Sequence, residues 1–163
     1  MTRLPRSFFA RPTVIVARAL LGCLLVHETP AGRVVGRLVE VEAYCGPRDP
    51  ASHAYRRTPR SEVMWGLPGT AYVYLSHGIH ACMNVVSEPL GRPGAVLLRA
   101  LEPVDGVALM QRRRGIAALR DLARGARPPG AIVATPRIGI SAAIVRRWRL
   151  VVGGSPFLSR PAR

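Results

Sequence analysis

The chain has 163 residues, 48% of them hydrophobic, enough for one domain with a real core. All 24 basic residues are arginine, against 9 acidic residues, which leaves a net charge of +15. Such an excess on a small folded domain excludes a disordered acidic or neutral binder and points to a polyanionic partner, nucleic acid foremost.

Other classes fall away quickly. The longest apolar stretch, 14–26, is interrupted by Arg18 and Gly22, so no membrane-spanning helix is expected. Arg3, Arg6 and Arg11 are followed by no uninterrupted apolar region with a small-residue cleavage site, so no signal peptide is expected. Cys23, Cys45 and Cys82 form no short pair, which fits a reducing, cytoplasmic setting. With no C-x-x-C, P-loop or G-x-G-x-x-G, zinc-ribbon, NTPase and dinucleotide readings have no support. Neither a metal nor a cofactor is expected, because the cysteines and His80 lack ligand spacing.

In chain order, Pro12 suits the start of a helix that stops at Gly22. Residues 23–29 and 33–44 read as two strands joined by the turn Pro30-Ala31-Gly32. A loop over 46–60 contains Pro47, Pro50 and Pro59, and Ser61 is placed to cap a short turn before Gly66. Strands follow at 70–76, 79–86 and 94–101, with His77-Gly78 as a tight hairpin tip. A helix is expected over 107–124, breakable at Gly115, and a last strand over 146–152. Short connections imply a mostly antiparallel sheet. The expected fold is α+β, one domain over 1–163, with a curved sheet surrounded by helices and a protruding hairpin.

Strand alternation then sorts the side chains. Val39, Val41 and Ala43 form an apolar face, and Glu40, Glu42 and Tyr44 the opposite one. Ala71, Val73 and Leu75 likewise oppose Tyr72 and Tyr74. Asn84 and Arg99 stand alone in apolar runs. A buried arginine needs a carboxylate, and Glu40 and Glu42 are the candidates. Carboxylates, aromatic rings and one arginine suit cleavage of a glycosidic bond through an oxocarbenium-like state. In nucleic acid the base would be gripped by stacking, after being flipped out behind a wedge such as the His77-Gly78 tip.

The segments Val39-Glu-Val-Glu-Ala-Tyr44, Asp49-Pro-Ala-Ser-His53, Pro68-Gly-Thr-Ala-Tyr-Val-Tyr74, His77-Gly-Ile-His-Ala-Cys-Met-Asn84 and Val96-Leu-Leu-Arg-Ala-Leu-Glu-Pro103 occur in one order with short gaps. Together they resemble the alkyladenine (3-methyladenine/hypoxanthine) DNA glycosylase family. Weaker matches follow at Pro136-Arg-Ile-Gly-Ile-Ser141 and Gly154-Ser-Pro156. The resemblance implies a monofunctional base-excision repair enzyme, without metal or cofactor, acting as a monomer on duplex DNA with damaged purines. On this resemblance Glu42 is the general base for the attacking water, and Arg99 helps hold that water and the carboxylate. Tyr44 and His53 stack on one face of the flipped base and Tyr74 on the other. Asn84 lies near the purine 2-position, and His77 is the wedge. Glu40 is structural, Asp49 organises its loop, and Tyr72, Met64 and Trp65 pack. Arg56, Arg57, Arg60, Arg112, Arg113 and Arg114 are the expected phosphate contacts.

Two features depart from the family pattern. The wedge position, usually tyrosine, is His77, which offers less ring area. The stretch near 125–136 is shorter than the family's. Two other classes therefore stand beside an active glycosylase. One is a catalytically impaired basic DNA-binding module. The other is a carbohydrate hydrolase using Glu40 and Glu42, about 7 Å apart along one strand; the arginine excess argues against it.

Overall fold

A computed structural model describes residues 2–78, 80–115 and 132–160. In chain order the helices are α1 (Arg6–Phe9), α2 (Thr13–Leu20) and α3 (Val107–Arg114). The strands are β1 (Leu24–Thr29), β2 (Gly32–Tyr44), β3 (Ala71–Ser76), β4 (His80–Ser87), β5 (Gly94–Asp105), β6 (Ile132–Thr135) and β7 (Arg149–Val152). They make one antiparallel sheet in the order β3-β4-β5-β2-β7-β6, with β1 also on β2. The architecture is the expected α+β one. The described helices are few and short, and loops cover much of the sheet.

Strand β2 organises the molecule. Its partner along one edge is β5; along the other, β1 takes residues up to Arg37 and β7 takes Glu40 to Glu42. Opposite β5 the register slips around Leu38 to Val41, with Ala100 facing Glu40 and Leu98 facing Val41. Arg99 falls in that irregularity, which adds a residue and redirects side chains locally.

Both sheet faces are covered. Helix α2 lays Val16, Ala17 and Leu20 on Leu38, Val41, Ala43, Val85 and Val96. Its first turn is held by Glu88, whose Oε1 accepts from the Thr13 amide (2.7 Å) and hydroxyl (2.9 Å), satisfying donors that a helix start leaves free. On the opposite face, Tyr72, Val86 and Ala95 pack with Ala54 and Met64 from the 46–66 loop region. That region contains short 3-10 turns at Gly46–Arg48, His53–Tyr55 and Glu62–Trp65. Ser61 does not cap the last of these. Its hydroxyl instead donates to the Arg56 carbonyl (3.1 Å) and accepts from the Thr58 amide (3.0 Å), closing the loop on itself.

Two expectations are corrected. The face of Val73 and Leu75 is not the core face: these residues are 60% and 62% exposed, while Tyr72 is buried. The reason is topological, since β4 pairs with β5 only from Asn84 to Ser87 and the outer hairpin extends past its support. The last strand begins at Arg149, and β6 was not anticipated. Helix α3 ends at Arg114, with Gly115 left-handed (φ 63°) as its stop. The remainder of the expected helix lies outside the described residues, as does most of the 125–136 stretch.

Candidate functional site

Register places the polar residues of the site on one rung of the sheet. Tyr72 faces Asn84, Asn84 faces Leu97, Leu97 faces Glu42, and Glu42 faces Arg149. Directly opposed residues share a face, so the tyrosine face of β3 and the carboxylate face of β2 look the same way. A cavity of about 300 Å³ opens there, lined among others by Tyr44, His53, Met64, Tyr72, Tyr74 and Asn84. Ser76 and His77 of the hairpin and residues 139–142 complete its rim.

Glu40 and Glu42 are both fully buried, because the segment from Arg137 to Arg160 covers their face. The Glu42 Oε1 accepts from the Ile138 amide (2.9 Å). Its Oε2 accepts from the Tyr44 hydroxyl (2.9 Å) and lies 3.5 Å from Arg99 Nη1. Tyr44 lines the cavity, so the carboxylate meets the pocket through this phenol. Burial first, then the Glu42 charge and hydrogen bond, push the Tyr44 hydroxyl far above its ordinary range, so it remains a donor.

Glu40 is held differently. Its Oε1 accepts from Arg149 Nε (2.6 Å) and the Ser159 hydroxyl (2.7 Å), and its Oε2 from the Ser159 amide (2.6 Å). Arg99 Nε lies 3.3 Å from the same carboxylate. Arg149 also donates to Thr135 Oγ1 and to the Arg160 carbonyl. So saturated and buried a carboxylate offers no free position to a substrate or water, which removes the geometric support for pairing the two carboxylates as acid and base.

The aromatic wall differs from its expected layout. His53 and Tyr74 have ring centroids 4.7 Å apart. A base between them would need roughly 7 Å, twice the van der Waals spacing, so as placed they stand side by side rather than on opposite faces. Tyr44 lines the same cavity. His53 Nδ1 lies 2.9 Å from the Tyr72 hydroxyl, and Asn84 Nδ2 donates to the Tyr72 carbonyl (3.2 Å). Burial first, then the Arg60 charge, lower the His53 pKa, favouring a neutral ring. Burial first also raises that of Tyr74 to about 12.

His77 sits at the hairpin tip with a left-handed backbone (φ 51°). Arg60 lies over the Tyr74 ring (4.9 Å), and Arg57 pairs with Glu62 and lies over Trp65. Arg56, Arg57 and Arg60 are all exposed beside the pocket. Arg112, Arg113 and Arg114 are exposed too, but α3 docks at the start of β2, where Arg113 donates to Thr29. Tyr44, which lines the pocket, is at the other end of that 13-residue strand.

Residues not singled out as site residues complete the frame. Arg137 is buried and grips Asp49 through Nη1 (2.5 Å) and Nη2 (2.8 Å), and it donates to the Ala43 carbonyl. Asp49 in turn accepts from the Cys45 and Ala51 amides, which is the loop-organising role expected of it. This pair ties the two walls of the cavity together, with Arg137 lying over the Tyr44 ring (4.8 Å). Arg137 falls in the weak segment at 136–141, whereas Ser159 lies just past the one at 154–156 and had no signal of its own.

Fold and site together define an α+β domain with a buried carboxylate behind an aromatic pocket and a projecting hairpin. A profile of the methylpurine-DNA glycosylase family matches residues 7–128. A protein of Anaeromyxobacter dehalogenans is 48% identical, the match covering 98% of this chain and 86% of the relative. Relatives from Chlorobaculum tepidum (41%, covering 98% and 92%) and Salinibacter ruber (42%, covering 98% and 97%) match over similar lengths. All three are assigned as 3-methyladenine DNA glycosylases. The chain belongs to the methylpurine-DNA glycosylase family. The alignments run over 181 to 201 positions, so these relatives carry stretches that its 163 residues do not. Among the described residues no helix is long and apolar enough to cross a membrane.

Proposed function

We propose that the chain is a monofunctional glycosylase acting as a monomer on duplex DNA. It flips alkylated or deaminated purines (3-methyladenine, 7-methylguanine, hypoxanthine, ethenoadenine) into the cavity and hydrolyses the N-glycosidic bond, leaving an abasic site. Family membership supplies the coarse activity, and the observation that carries the mechanism is the environment of Glu42. A carboxylate offers about four acceptor positions. Glu42 spends its hydrogen bonds on Ile138, Tyr44 and Arg99, which fix its orientation and leave capacity for a water. In this reading Glu42 takes the proton of the water attacking C1′, and Arg99 steadies both. Tyr44 and Tyr74 hold the flipped base, with His53 beside Tyr74. Asn84 meets the purine 2-position, and His77 fills the gap in the stack. Arg56, Arg57 and Arg60 are the nearest cations for the DNA backbone; Arg112, Arg113 and Arg114 would reach phosphates only far along the duplex.

Among the described residues no carboxylate lines the pocket to protonate a neutral leaving base, and Glu40 is buried and saturated away from it. Cationic alkylpurines, already good leaving groups, are therefore the better substrates, and hypoxanthine the poorer. The deciding experiment uses duplexes carrying one hypoxanthine or ethenoadenine, and methylated DNA, followed by alkaline cleavage of abasic sites. Expected is release that vanishes in Glu42→Gln while lesion binding survives. Release from methylated DNA should exceed that of hypoxanthine, and the reverse order would overturn the ranking. The intact Glu42–Tyr44–Arg99 cluster favours this reading over a binding module that has lost catalysis. The latter would show steeply salt-dependent DNA binding and no release at all.

A further inference from the structure

Arg99 touches two carboxylates, and its contacts with them are unequal. Its Nε is 3.3 Å from Glu40, while its Nη1 is 3.5 Å from Glu42. Left to Coulomb attraction alone, the guanidinium would settle on Glu40, the nearer anion and one equally deep in low dielectric. A third contact opposes that collapse. Arg99 Nε donates to the Ser159 hydroxyl (3.1 Å), and the same hydroxyl donates to Glu40 Oε1 (2.7 Å). A hydroxyl can do both at once, one proton out and one lone pair in. The Ser159 amide fixes that residue on Glu40 Oε2 (2.6 Å), so the hydroxyl has a built position.

We propose that Ser159 is a positioning residue for the reaction. Its hydroxyl shares the Arg99 Nε proton with Glu40, which keeps that pair from shortening further, and so holds the Arg99 fork aimed at Glu42. Glu40 is then the anchor of this hydroxyl, and the chain Glu40–Ser159–Arg99–Glu42 couples the C-terminal segment to the base. The inference rests on the reading of Glu42 as the group that activates water. Removing the hydroxyl leaves the Ser159 amide and the fold in place, but lets Arg99 close on Glu40 and withdraw from Glu42. Affinity for damaged DNA would not change, because Ser159 is not among the residues lining the cavity.

Single-turnover base release and lesion-duplex affinity, measured in parallel on the full chain, test this. Ser159→Ala is expected to slow release about 10- to 100-fold, the size of one hydrogen bond to a charged group, with affinity unchanged. Ser159→Thr, which keeps the hydroxyl, restores most of the rate. In an Arg99→Ala background the hydroxyl keeps its bond to Glu40 but has no guanidinium to position, so adding Ser159→Ala slows release no further. Wild-type release by Ser159→Ala overturns the proposal. So does a loss that multiplies with that of Arg99→Ala, or one that Thr does not rescue, because either marks a merely structural residue. Full release by Glu42→Gln would bring down the underlying reading itself; full release by Ser159→Ala beside an inactive Glu42→Gln would bring down this inference alone.

Discussion

Glu40 and Glu42 sit two residues apart on one face of β2, equally buried, and yet they belong to two different regions. Glu40 lies under the C-terminal segment, clamped by Arg149 and by two donors of Ser159. Glu42 lies at the back of the pocket, fixed by a backbone amide and a phenol, with its cation at 3.5 Å. Burial alone therefore assigns no role to a carboxylate. What distinguishes them is how fully their lone pairs are consumed: Glu40 is saturated by Arg149, Ser159 and Arg99, whereas Glu42 keeps an acceptor position open, as the role proposed for it requires.

The largest effects test that division directly. Glu42→Gln should cut base release about 10²- to 10⁴-fold, the usual range for removing a general base, with little change in urea unfolding. Glu40→Gln should do the opposite first. It leaves Arg149 and part of Arg99 without their anion, and breaking a buried pair from one side costs about 3–5 kcal/mol, readable in the urea midpoint. Asp49→Ala, which strands buried Arg137, belongs to the same class and size. Should Glu40→Gln keep full stability while abolishing release, the two carboxylates would have to exchange roles.

The hairpin offers a smaller test on the pocket side. His77→Asn keeps a residue that tolerates the left-handed tip but removes the ring. Lesion flipping, followed by a fluorescent base next to the lesion, should weaken by about 1–3 kcal/mol, the worth of one stacked base. His77→Tyr should strengthen it through its larger ring. Equal flipping by all three proteins would show that the tip does not fill the stack.

Much of this was legible in the sequence. Alternation along 37–44 assigned both carboxylates and Tyr44 to one face, and the hairpin and the isolated Arg99 and Asn84 stood out in their runs. Alternation failed in β3 because it says which residues share a face, not which face meets support. Tyr72 and Tyr74 are covered by the 46–66 loop region, while Val73 and Leu75 project beyond β5. Partner choice was equally hidden. Nothing local tells that Arg137 will take Asp49, 88 residues away, or that Ser159 will take Glu40, 119 residues away. The 4.7 Å spacing of the His53 and Tyr74 rings was equally hidden, since it is set by the loop that carries His53.

The smallest effect concerns the charge of the pocket wall. His53 has its pKa lowered, by burial first and by the Arg60 cation second. In the unfolded chain a histidine binds its proton near pH 6.5; in the folded chain it does so only at lower pH. The unfolded state therefore holds more protons through that window. Stability is complete above about 6.5 and declines as pH falls through the folded value. At neutral pH His53 then adds no positive charge beside Arg60, which matters for the cationic purines proposed to enter the pocket. NMR titration of the His53 ring should give a value below the ordinary one, and Arg60→Ala should raise it without restoring it fully, because burial remains. A His53 that titrates at or above the ordinary value would make the pocket wall cationic near neutral pH and remove the electrostatic reason for favouring charged alkylpurines over hypoxanthine.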